Sequence, residues 1–169
     1  MPPPCHAEDE IEAEWGLPTP SGQHGGRMAV CEHTGRSGAT AAMVERLLAA
    51  ARMRLVRLEP LAAATVIEQG AVLVDVRTSE QRRDDGEIPG AVAIPLNVLE
   101  WRADVTSSSH DPSLGNAGTP LVVLCAEGYC SSLAAVRLLE LGRNATDVVG
   151  GFAAWRTAGL PVEHRTSPT

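Results

Sequence analysis

Cys125 and Cys130 bracket a six-residue stretch, Cys125-Ala126-Glu127-Gly128-Tyr129-Cys130, which continues into Ser131 and Ser132. Four apolar residues, Leu121-Val122-Val123-Leu124, precede it, and Leu133-Ala134-Ala135 follow. A short unbroken apolar run is the pattern of a fully buried strand. An Ala/Leu-rich stretch opened by serines is the pattern of a helix, with Ser131 as an N-cap whose hydroxyl can accept an orphan N–H of the first turn. Together they place the sulfur of Cys125 at the carboxyl end of a strand and the amino end of a helix. Backbone N–H groups curled around such a point make an anion-binding nest, and the helix dipole adds partial positive charge. Both favour thiolate over thiol, which is the reactive form. A structural cysteine buried at a strand end is the bland alternative. Glu127, Gly128 and Ser131 are turn and cap residues, and their presence favours the nucleophile.

The surrounding chain alternates strand and helix. Residues 55–58 read as a first short strand, and Pro60 suits the first turn of a helix that ends near Gly70. Residues 72–76 read as a buried strand, and Thr78-Ser79-Glu80-Gln81 opens a short polar helix that Gly86 stops. Residues 91–94 read as a third strand, and 96–101 as a short helix or turn. Residues 102–119 are polar, with three serines in a row, Asp111-Pro112 and Gly115-Asn116-Ala117-Gly118; they read as a long, mobile loop. Leu121–Leu124 is the central strand, 132–141 its helix closed by Gly142, 147–149 the last strand and 152–158 the last helix. Nearly continuous apolar strands alternating with helices imply a parallel sheet covered on both faces. Ligands in such sheets bind beyond the carboxyl ends of the strands, where Cys125 falls.

Cys-x-x-Gly-x-x-Ser after a buried strand resembles the active-site loop of the rhodanese family. Three further segments resemble that family in the expected order. They are Leu73-Val74-Asp75-Val76-Arg77, Gly86-Glu87-Ile88-Pro89-Gly90-Ala91 with Ile94-Pro95, and Gly150-Gly151-Phe152-Ala153-Ala154-Trp155 with Gly159-Leu160-Pro161-Val162. The resemblance spans residues 57–164. It implies an α/β fold, a rhodanese-like three-layer domain with a mostly parallel five-stranded sheet and helices on both faces. An N-terminal extension, residues 28–56, carries one helix. The resemblance also implies sulfane-sulfur transfer without a cofactor. The Cys125 thiolate takes sulfur from thiosulfate, a persulfide or a polysulfide and passes it to a thiol or cyanide acceptor. A protein thiol is one such acceptor. The persulfide anion is held by the loop Ala126, Glu127, Gly128, Tyr129, Cys130 and Ser131, through N–H groups that need geometry rather than particular side chains. Gly128 differs, because a tight loop can require its conformational freedom. The related phosphatases use a longer loop ending in arginine, and this chain has neither feature.

Two departures from the family stand out. Cys130 occupies the end of the loop, where many rhodaneses place arginine or another polar residue. Without that arginine a dianionic donor such as thiosulfate loses a bidentate partner. Glu87 takes a usual histidine position that is mainly structural. Arg77 and Arg102 adjoin the site in the family arrangement and are candidates for its positive charge; for Arg77 a structural salt bridge is the alternative. Trp101 is either a pocket wall or a rim aromatic. Cys130 is either a small loop-end residue or a second thiol able to attack a persulfide on Cys125. Three functions follow: a single-domain sulfurtransferase, a dithiol redox enzyme or sensor using Cys125 and Cys130, and a non-catalytic rhodanese-like binding module. Retention of the cysteine favours the first over the third.

Composition bounds the remaining classes. The net charge is −7 and no lysine occurs among the 14 basic residues. An acidic chain without a basic stripe argues against a nucleic-acid partner, and no apolar stretch is long enough for a bilayer. The first residues carry Glu8, Asp9, Glu10, Glu12 and Glu14 rather than a basic and apolar leader, so they do not read as a secretory signal. A reducing cytoplasm is the expected setting, in which the four cysteines are thiols rather than structural disulfides. Residues 1–27, rich in Pro, Gly and acid, read as a disordered tail, and 165–169 as a second tail. Residues 39–54 have helical spacing in Met43, Leu47, Leu48 and Ala51; this helix packs outside the domain or supplies a dimer face. Cys31-Glu32-His33-Thr34-Gly35-Arg36-Ser37 superficially resembles a phosphatase signature but lacks a preceding strand. Cys5, His6, Cys31 and His33 lack the usual spacing of structural zinc, so no metal is expected.

Overall fold

The computed structural model describes residues 42–164. The expectations for the acidic tail, the Cys31 segment, the Cys5/His6/Cys31/His33 group and residues 165–169 lie outside the described residues.

The chain folds as α1 (Met43–Arg52), α2 (Pro60–Glu68), β1 (Val72–Asp75), α3 (Ser79–Asp85), β2 (Val92–Ala93), α4 (Leu99–Ala103), β3 (Leu121–Leu124), α5 (Cys130–Glu140), β4 (Ala145–Asp147) and α6 (Gly151–Thr157). Single 3-10 turns at Leu96–Val98 and Pro112–Leu114 precede α4 and β3. The sheet order is β2-β1-β3-β4, and every pairing is parallel. β3 is therefore central and buried at every residue. Alternate side chains along the strands feed two cores. Val74, Leu121 and Val123 pack with Leu99, Ala134, Ala135 and Leu138 on one face. Leu73, Val122 and Leu124 pack with Ala63, Phe152 and Trp155 on the other. Helices thus cover both faces, as the buried strands require.

The sheet has four strands rather than the five expected. Residues 55–58 make a single bridge, between Leu58 and Val148. Leu58 N–H donates to Asp147 O at 3.0 Å, and Val149 N–H donates to Leu58 O at 2.9 Å. The bridge does not grow into a ladder: the Val56 carbonyl accepts from the Thr146 hydroxyl at 2.7 Å, and Pro60 begins α2 two residues after Leu58. The segment 102–119 is also not the open loop its composition suggested. Leu114 is fully buried. Arg143, from the turn before β4, donates to the carbonyls of Ala103 and Leu114 at 2.6 and 2.7 Å. One apolar anchor and one distant guanidinium hold the segment to the core.

α1 packs on α5. Ala51 is buried there, while Met43, Val44 and Leu47 remain exposed. Among the described residues no helix is long and apolar enough to cross a membrane, and no group of three or more His, Cys, Asp or Glu could hold a metal ion.

Candidate active site

Cys125 follows directly on β3 and is 4% exposed. The chain turns sharply at Gly128 (φ +77°) and enters α5 at Cys130, with Tyr129 in the cap position and no side-chain cap bond. Ser131 is therefore inside the first turn instead of capping it, because its hydroxyl has other partners. Gly128 N–H donates to Cys125 Sγ at 3.2 Å and Ser131 N–H does so at 3.4 Å. Ser131 Oγ lies 3.2 Å from the same sulfur. A Cβ on residue 128 would lie 2.8 Å from the Gly150 nitrogen. Both the left-handed backbone and this close approach thus reserve the position for glycine.

The outer side of the loop is held by charge. The Gly128 carbonyl accepts from Arg52 at 2.9 Å and from Arg57 at 3.3 Å. Arg52 also lies over the Tyr129 ring, 5.6 Å from its centroid. Arg57 forms a two-pronged ion pair with Asp147, at 2.8 and 2.9 Å. Asp147, at the end of β4, is fully buried. Its Oδ2 also accepts from Ser132 Oγ at 2.7 Å and Ser131 Oγ at 3.2 Å. From the opposite side α6 grips the loop entrance: Phe152 N–H donates to Cys125 O at 2.8 Å, and Ala153 N–H donates to Ala126 O at 3.0 Å.

These contacts set the charge on sulfur. The Cys125 pKa is lowered from 9.0 to about 5. The Cys130 thiol, donating to the sulfur, is the largest cause; burial opposes it, and the Ser131 hydroxyl with the backbone at Ser131 and Glu127 adds to the lowering. The same contact pushes the Cys130 thiol up, helped by its burial and by the negative charge beside it. The resting pair is a Cys125 thiolate beside a protonated Cys130. Because the Cys125 pKa is depressed, the thiolate dominates above about pH 5. Iodoacetamide labelling of Cys125, read by peptide mapping, should rise through that pH and be flat at neutrality. Cys130→Ala removes the largest cause and should move the midpoint up by at least about one unit. An unmoved midpoint would show that the backbone nest alone holds the thiolate.

The other residues singled out in the sequence lie elsewhere. Arg77 is 2% exposed. It binds Asp75 at 2.7 Å and the Gly86 carbonyl at 2.9 Å, and it stacks 3.6 Å from the Phe152 centroid. Arg77 thus forms a buried salt bridge with Asp75 through Nε and Nη2, while its Nη1 is buried without a hydrogen bond. Trp101 is 60% exposed on α4, and Arg102 donates to the Ser109 carbonyl at 3.1 Å. A groove of about 410 Å³ does open beside Cys130, but Leu47, Ala51, Leu96, Leu133 and Val136 line it, not Trp101 or Arg102. Arg52, Arg57, Ser132 and Asp147 escaped the sequence reading. The one signal for Asp147 was an acidic residue at the end of a strand neighbouring the cysteine strand, where α/β sheets keep their sites.

A parallel α/β sheet that delivers a cysteine from its central strand into a tight donor-lined loop defines a rhodanese-like domain. The family model for the Rhodanese-like domain matches residues 60–158, and the chain belongs to this family. The thiosulfate sulfurtransferase GlpE of Pseudomonas syringae is 36% identical over 102 residues, 60% of this chain and 87% of that protein. An HTH-type transcriptional regulator of Mycobacterium tuberculosis is 36% identical over 99 residues, 57% of this chain but only 39% of the regulator. Among solved structures, a protein of unknown function from Rhodopseudomonas palustris, described as a possible tyrosine phosphatase, aligns with TM-score 0.66 and 29% identity. That alignment covers 76% of this chain and all of the other.

Proposed function

We propose that this protein is a rhodanese-type sulfurtransferase in which Cys125 carries the sulfur as a persulfide. The observation that carries the proposal is the convergence of the Gly128 and Ser131 N–H groups on one buried sulfur, which is held as thiolate near neutrality. The thiolate attacks the outer sulfur of a donor. A bond forms between Cys125 Sγ and that sulfur, and the donor leaves as sulfite or as a thiolate. The charge moves to the outer sulfur of the persulfide, and an acceptor thiolate or cyanide then removes it. Dividing the transfer in two lowers each barrier. Ser131 suits both stages: its single hydroxyl proton can face Asp147 while sulfur is protonated and turn to sulfur when it is charged. The donors point at sulfur itself, and no arginine closes the loop, which favours sulfur over phosphate as the group handled. The sulfurtransferase relative from Pseudomonas syringae supports this chemistry. The setting we infer is a reducing cytoplasm, with a small sulfur compound as donor.

Cys130 determines the donor. With a thiol where an arginine can clamp a dianion, thiosulfate lacks a charge-assisted contact worth roughly 1.5–3 kcal/mol, or about ten- to a hundredfold in affinity. A persulfide or polysulfide is then the better donor. Cys130→Arg should raise kcat/KM for thiosulfate by about tenfold or more, and raise it less for glutathione persulfide. Equal effects on both donors in steady-state assays would refute this account of specificity.

A further inference from the structure

One-cysteine sulfur transfer gives Cys130 no bond to make or break. Yet the fold places this residue with care. It opens α5 and packs half-buried against the core cluster that contains Cys125, and the N–H of the peptide that joins it to Ser131 donates to the Cys125 sulfur at 3.4 Å. Its other flank forms part of the apolar groove between α1 and α5. Cys125 is thus enclosed, while Cys130 is the thiol that an entering molecule meets first.

We propose that Cys130 resolves the Cys125 persulfide from within the loop, making the protein a sulfane-sulfur reductase that releases hydrosulfide when no acceptor intervenes. This rests on the Cys125 persulfide proposed above. In the step, the Cys130 sulfur attacks Cys125 Sγ. The Sγ130–Sγ125 bond forms and the bond from Sγ125 to the outer sulfur breaks, with its electron pair leaving on the outer sulfur. The Cys130 proton goes to that leaving group. The balance is Cys125–S–S⁻ plus Cys130–SH giving the Cys125–Cys130 disulfide plus HS⁻. The outer sulfur is reduced by two electrons and the two cysteine sulfurs are oxidised by one each, so no further oxidant is required. A dithiol reductant returns the loop to its starting state. It should attack Cys130, the sulfur open to the groove. Cys125 is then the leaving thiolate, and its low pKa makes it the faster one to depart.

The test uses the full chain with an equimolar amount of glutathione persulfide and no acceptor, desalted at once. Released sulfide, intact mass and peptide maps are then read. The proposal expects near-stoichiometric sulfide, a loss of two hydrogens and a Cys125–Cys130 cross-linked peptide. Cys130→Ser and Cys130→Ala should load more slowly, retain a gain of one sulfur on Cys125, and release about tenfold less sulfide or lower. A wild-type protein that keeps its added sulfur without releasing sulfide overturns this inference and leaves the persulfide reading standing. So does a cross-link joining Cys125 to a different cysteine. A protein that neither gains sulfur nor releases sulfide removes both readings together.

Discussion

Cys125→Ser should reduce sulfur transfer from any donor to background, a loss of at least about a thousandfold in kcat, while the domain remains folded. The argument rests on what the two side chains can do at the same point. A sulfur thiolate can accept a sulfane sulfur and hold it as a persulfide. A serine oxygen at neutral pH stays protonated and has no comparable covalent intermediate to offer. Structure should survive because the substitution removes little volume and keeps the hydrogen-bonding sense. The Gly128 and Ser131 N–H groups that now lie 3.2 and 3.4 Å from sulfur would find a hydroxyl oxygen as acceptor, so no buried donor is left unsatisfied. The loop also has its own supports, the Phe152 and Ala153 N–H groups on one side and Arg52 on the other, none of which involves the sulfur. Denaturant midpoints should therefore shift by no more than about 1 kcal/mol equivalent. Sulfur transfer to cyanide or to a thiol that persists near the wild-type rate would exclude Cys125 as the carrier. A collapse of the denaturation midpoint would instead show the sulfur to be structural.

How much of this could be read from residue order depended on sequence separation. The strand, cysteine, turn and helix of 121–140 are contiguous, so their types and spacing carried the geometry, including the need for glycine at 128. Arg77 was ambiguous between a site charge and a salt bridge because both partners were plausible. In the structure it pairs with Asp75, two residues away, and stacks on Phe152, which only the fold brings near. Other contacts had no local trace. Arg57 and Asp147 are 90 residues apart, and Arg52 and Gly128 are 76 apart; each meeting follows from the strand order and the placing of α1 on α5. The fifth strand failed for a related reason. Residues 55–58 have strand-like composition, but only Leu58 bridges the sheet, and Pro60 starts a helix two residues after it. Polar composition likewise suggested an unanchored 102–119 segment, since a single buried leucine and a guanidinium from Arg143 are invisible to any average over the window.

The ion pair beneath the loop should be the costliest contact to break. Asp147→Ala should destabilise the domain by about 3–5 kcal/mol, because removing one partner of a buried pair leaves the other charge desolvated and uncompensated. Asp147 is fully buried and Arg57 only 16% exposed at its side chain, so water cannot readily replace the carboxylate. The same substitution removes the acceptor of the Ser132 hydroxyl at 2.7 Å. A domain with roughly 5–15 kcal/mol of total stability would be left marginal. Arg57→Ala should cost less than Asp147→Ala, since the carboxylate it leaves behind keeps the Ser132 hydroxyl as a donor at 2.7 Å. The double variant should be more stable than the sum of the singles predicts, by about 2 kcal/mol, if the pair is a single unit. Stability and chemistry then separate in a useful way. The double variant no longer strands a charge, but the Gly128 carbonyl has lost one of its two guanidinium donors and Ser131 has lost its carboxylate partner. It should fold better than Asp147→Ala and still label more slowly with iodoacetamide at Cys125. Additive denaturation energies would mean that Arg57 and Asp147 act independently. Full labelling reactivity in the double variant would mean that the pair supports the fold without shaping the nest around the sulfur.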